Sequence, residues 1–174
     1  MKTVLAAIAL LCAVVVSPLV GQGDGPDSRH TLAGLRGVYV AVGDVDEDAE
    51  QKGLSKARLQ TDVELKLRQA GIRVLTEEEV GRTPGLPYLY VTVNTLHPRE
   101  PSLSGVYAFA VSVELVQTIC LHRSPSMLTI GRTWNATGAF GTVGADNLGE
   151  YVRKRVSDGT DEFINAYLAA NPKR

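Results

Sequence analysis

Asp44-Val45-Asp46-Glu47-Asp48 is the densest run of potential ligands in the chain, and calcium is the cation such oxygens would suit. A calcium-binding helix–loop–helix needs glycine at its sixth position and glutamate at its twelfth. Counted from Asp44, those positions hold Ala49 and Ser55. The run therefore reads as a solvated acidic loop whose charge favours the N-terminus of the helix after it. His30, His97 and His122 are scattered, with no His-Glu-x-x-His or Cys-x-x-Cys spacing beside them. No metal and no cofactor are expected. Ser104 and His97 could be assembled into a nucleophile and its base, but no Gly-x-Ser-x-Gly turn is present to expose a serine. Gly138, Gly141 and Gly144 precede the last helix, where free N–H groups can hold an anion. Asp146 and Glu150 would repel one, and the spacing matches neither phosphate-binding glycine pattern. These glycines are expected to serve a bend.

The strongest signal concerns location. Lys2 is followed by an apolar run from Val4 to Val16, then by Pro18 and by Gly21-Gln22-Gly23. Those are the parts of a secretory signal peptide, and the run is too short to span a bilayer. Residues 1–23 are therefore expected to direct export and be removed, leaving the protein periplasmic or secreted. Contact with a membrane is then confined to this segment before cleavage. The formal net charge of -1 offers no footprint for nucleic acid. Cys12 leaves with the signal, so Cys120 remains alone beside Ile119 and Leu121, and burial is its expected state.

The elements follow from periodicity. Residues 24–34, rich in Gly, Asp, Pro and Ser, read as a flexible leader. Residues 35–171 then form a single α+β domain. Val38 to Val42 is a short apolar strand. Ser55 opens a helix to Ala70 with Leu59, Val63 and Leu67 on one face, and Gly71 ends it. Ile72 to Leu75 reads as a strand completing a parallel crossover, followed by an acidic turn from Thr76 to Val80.

Leu89, Val91 and Val93 alternate with Tyr88, Tyr90, Thr92 and Asn94. Val106 to Leu121 continues the scheme, with Tyr107, Phe109, Val111, Val113, Leu115, Ile119 and Leu121 on one parity. In residues 128–137, Leu128, Ile130, Trp134 and Ala136 oppose Thr129, Gly131, Thr133, Asn135 and Thr137. Arg132 falls on the apolar parity and is assigned to an edge. A closing helix from Asn147 to Ala170 has a capping-box spacing at Asn147 and Glu150, and Gly159 is a place for a kink. The Asn135-Ala136-Thr137 sequon falls inside a strand and carries no expectation.

The expected fold is β-α-β-β-β-α, one mixed, mostly antiparallel sheet with two helices packed on one face. The other face is left for water or a partner. Tyr88, Tyr90, Thr92, Asn94 and Thr133 are its candidate binding residues, because tyrosine supplies flat contact area and Thr and Asn supply adaptable hydrogen bonds.

The run from Leu59 to Leu75, the strands after it and Phe163-Ile164-Asn165-Ala166-Tyr167-Leu168 resemble an uncharacterised family of small exported bacterial proteins. In element order the chain also resembles the amino-terminal domain of TolB-like and CsgG-like envelope proteins. That resemblance implies work by protein–protein contact in an envelope assembly, and it transfers no site residues. The expectation is an exported, non-catalytic domain that binds an envelope or secreted protein. The alternative is a hydrolytic enzyme with its site near His97, His122 and Gly141. Pairing of an exposed strand edge into a homodimer is a third expectation.

Overall fold

The computed structural model describes residues 24–98, 100, 102 and 105–172, and the expected signal peptide lies outside them. In chain order the elements are α1 (Pro26–His30), β1 (Tyr39–Val42), α2 (Glu47–Glu50), α3 (Lys56–Gln69), α4 (Glu77–Gly81), β2 (Tyr88–Leu96), β3 (Val106–Leu121), β4 (Ser124–Asn135), β5 (Ala139–Gly144) and α5 (Leu148–Ala170). The fold is α+β, as the strand and helix periodicities require.

The sheet runs β1-β2-β3-β4, and β5 also pairs with β3. Only β1 and β2 are parallel. β3 is long enough to serve three neighbours. Ala108–Val116 pairs with β2, Val106–Val111 with β5 and Glu114–Leu121 with β4. Thus β4 and β5 form one outer strand, broken at 136–138. The sequence reading missed β5, because Gly138, Gly141 and Gly144 made this stretch look like a bend.

α5 packs on β3, α3 on β1, and the two helices on each other. Leu59, Val63 and Leu67 of α3 and Val152, Val156 and Phe163 of α5 are buried against Val40, Leu89, Val91, Val113 and Leu115. Gly71 has φ +77°, the left-handed value that ends α3 without strain.

Four local expectations are corrected. Ile72 to Leu75 makes a single parallel bridge, Val38 to Val74, since Val38 N–H donates to Arg73 and Leu75 N–H donates back to Val38. Thr76 to Val80 is not a plain turn: Thr76 and Glu79 form a capping box that starts α4, and each side chain accepts from the other's backbone N–H. Glu79 is held below its ordinary pKa by the Thr76 backbone N–H and then by Arg73. The capping box expected at Asn147 does not form, because Ala145–Asn147 is a 3-10 turn that runs directly into α5. The segment 24–34, expected as a flexible leader, contains α1 and places Leu32 in the core with no exposure.

Gly159 lies within α5 and serves packing. A Cβ there would stand 2.9 Å from Cγ2 of Val113. In a solvent-facing helix, Gly→Ala gains about 1 kcal/mol. Here the overpacking outweighs that gain, and Gly159→Ala is expected to destabilise the protein by about 1–2 kcal/mol. A urea titration that shows a gain instead would mean that α5 and β3 are not in close contact.

Candidate binding face

Alternation along β2 sends Leu89, Val91 and Val93 to the helices and Tyr88, Tyr90, Thr92, Asn94 and Leu96 to the other face. Cross-strand register extends that face. Tyr90 lies across from Glu114, Thr92 from Ser112, Asn94 from Ala110 and Leu96 from Ala108. Tyr39 and Tyr88 meet edge to face, with ring centroids 5.3 Å apart. On the far side of β3, Ala110 lies across from Phe140 and Glu114 from Asn135.

Thr133 does not share this face. Leu115 pairs with Trp134 and Val116 with Arg132, so Thr133 is the extra residue of a β-bulge. Its hydroxyl accepts from Gln117 Nε2 at 2.7 Å, and Gln117 has the parity of buried Leu115. The bulge also explains Arg132. Before it, Arg132, Ile130 and Leu128 point to the open face; after it, Trp134 and Ala136 point to the core. Arg132 therefore pairs with Glu114 on the open face at 2.8 Å instead of spanning an edge over the core. Thr129, expected on the open face, lies across from Ile119 on the opposite parity.

The result is a set of exposed apolar side chains toward the two ends of this face that the sequence did not show. Among the described residues, five of the eight exposed large hydrophobic side chains, Tyr90, Leu96, Leu128, Ile130 and Phe140, have open-face parity. Phe140 is 87% exposed. Leu96 and Phe140 stand on either side of a floor made by Ala108 and Ala110. Leu128 and Ile130 belong to the turn end of the β3–β4 hairpin, across from Cys120 and Thr118. Cys120 sits across from Leu128 on this face and is exposed, contrary to the expected burial.

A cleft opens beside the face, between α1 and the break in the outer strand, lined in part by Asp24, Ser28, Arg132, Trp134, Gly138 and Phe140. Trp134 Nε1 donates to Asp24 at 3.0 Å, and Arg29 bonds the same carboxylate. These bonds, Arg29 first, hold Asp24 below its ordinary pKa against the opposing effect of burial. Asp24 and Arg132 are thus already engaged within the fold, and Asp27 also lines the cleft.

The residues of the enzymatic alternative are not brought together. His97 stacks on Tyr107 at one end of β3, with centroids 4.6 Å apart. His122 lies in the turn past the other end, on the order of 45 Å away along the strand. Ser104 lies outside the described residues. Among the described residues no cluster of His, Cys, Asp and Glu could hold a metal, and no helix is long and apolar enough to cross a membrane. The acidic run is not all loop, since Glu47 and Asp48 begin α2; before it, Asp44 pairs with Lys56, which lowers the Asp44 pKa, and Asp46 accepts from the Thr95 hydroxyl at 2.8 Å.

The chain matches no family model and no curated protein.

Proposed function

We propose that this is an exported binding domain that holds an envelope or secreted protein against its open sheet face. The observation that carries the reading is the gathering of Tyr90, Leu96, Leu128, Ile130 and Phe140 on the one face that neither α3 nor α5 packs against. Exposed large apolar side chains on an uncovered sheet face mark a protein-contact surface, and here they stand toward its two ends. Thr92, Asn94 and Ser112 lie between the apolar ends, and the Glu114–Arg132 pair leaves the centre without net charge. The resemblance in element order to TolB-like and CsgG-like amino-terminal domains supports the same class of role.

A photoreactive phenylalanine at Tyr90, tested in the source cell against one at Leu168 on α5, checks this reading. The expected result is a discrete adduct from position 90 and none from 168, both side chains being 39% exposed. Equal labelling at the two sites, or none at 90, would overturn the assignment of the face.

A further inference from the structure

Among the described residues β5 pairs with β3 alone, and no described strand lies along its outer side. The structure that satisfies such an edge is another strand. Edges are ordinarily guarded by charge, proline, bulges or a covering element. The β4 part of this edge has all four guards. It carries Pro125 and Arg132, its register shifts twice, and the Thr31 hydroxyl reaches the Thr133 carbonyl at 3.4 Å. The β5 part lacks charge, proline and bulge, and α1 faces only its Ala139–Phe140 end, across the cleft. Ala139-Phe140-Gly141-Thr142-Val143-Gly144 contains no charge and no proline, and it pairs with β3 without a register shift.

We propose that β5 pairs antiparallel with β5 of a second copy about a two-fold axis at Gly141, joining the two sheets into one. The argument for a second copy is self-complementarity. Centred on Gly141, the pairing sets Phe140 across from Thr142 of the second copy and Ala139 across from Val143, so a large residue meets a smaller one each time. The two glycines meet at the axis without side chains. A homotypic strand pair ordinarily sets like charges near one another, which costs stability; here no charge exists to be opposed. The pairing also gives a neighbour to Phe140, the most exposed of the large apolar residues described. It uses the strand edge and does not rest on what the open face binds.

Sedimentation equilibrium of the protein recovered from its source cells tests the inference between about 1 and about 200 µM, the range suited to a small interface. A monomer–dimer equilibrium is expected. Thr142 is exposed, so Thr142→Lys should leave the circular dichroism unchanged and raise the dimer dissociation constant about tenfold or more. Tyr90→Ala should leave the dimer intact, which separates this result from the face reading. Gly141→Cys in a Cys120→Ser background should form a covalent dimer on mild oxidation; a Cβ there meets Phe109 at an ordinary 3.5 Å. A monomer at every concentration overturns the proposal. So does a dimer that is indifferent to Thr142→Lys, or the absence of the Gly141→Cys cross-link in a dimeric sample.

Discussion

Trp134→Ala is expected to cost about 3–5 kcal/mol of stability, a large share of the roughly 5–15 kcal/mol that holds a domain together. Trp134 is 1% exposed and meets Phe163 edge to face, with centroids 5.4 Å apart. Truncation leaves a cavity between β4 and α5 at a site where the surrounding strand is held by its pairing with Leu115. It also removes the indole donor from Asp24, loosening the contact between the start of the described chain and the outer strand. Trp134→Phe separates the two effects: an aromatic ring still reaches Phe163, the hydrogen bond is gone, and about 1–2 kcal/mol is expected. Far-UV circular dichroism in urea is the measurement, because the chain has a single tryptophan and the variants remove its fluorescence. A loss below about 1 kcal/mol for Trp134→Ala would place Trp134 outside the core and undo the bulge that puts it there.

The second large effect concerns the segment before the sheet. Leu32→Ala is expected to destabilise the whole domain by about 2–4 kcal/mol, the range for truncating a buried leucine. Leu32 has no exposed surface, and the backbone around it is tied to the end of α5. Asn171 Nδ2 donates to the Leu32 carbonyl at 2.9 Å, Gly34 N–H donates to Asn171 Oδ1 at 2.8 Å, and the Tyr167 hydroxyl donates to the Leu35 carbonyl at 2.9 Å. Burial and hydrogen bonding keep the Tyr167 hydroxyl in place, and desolvation raises its pKa. A flexible leader would tolerate the substitution, with the urea midpoint unchanged. A docked one would not. Leu35→Ala, at a half-buried position, should cost less and serves as the internal comparison.

Together, the bulge and the docked segment show where the sequence stops being sufficient. The α+β class, the long strands and the two main helices were legible because each is a local periodicity. The spacing of Leu59, Val63 and Leu67 and the alternation from Leu89 to Val93 are fixed within one element, whatever lies across from it. The candidate face was legible along β2 for the same reason, and Tyr88, Tyr90, Thr92 and Asn94 do share it. Thr133 was misplaced because alternation assumes an unbroken strand, and a single inserted residue exchanges the two faces beyond it. Arg132 was the one local warning: a charge on an apolar parity.

β5 and the leader failed in a different way. Gly138, Gly141 and Gly144 are residues that usually mark a bend, and only the pairing of Ala139–Gly144 with Val106–Val111 makes this stretch a strand. Leu32 sits in a polar, Pro- and Gly-containing stretch, and nothing nearby in sequence announces the cavity among α5 and the outer strand that it fills. Cys120 and the exposed pair Leu128 and Ile130 take the parity of the face that α3 and α5 leave open, and for Leu128 and Ile130 it is the bulge at Thr133 that decides it. The sequence by itself determined which residues alternate and which form helical stripes, since those patterns arise from backbone geometry over a few residues. The tertiary structure alone decided which stretches are covered, which face each residue past the bulge takes, and which strand edge stays open, because each depends on contacts between residues far apart in the chain.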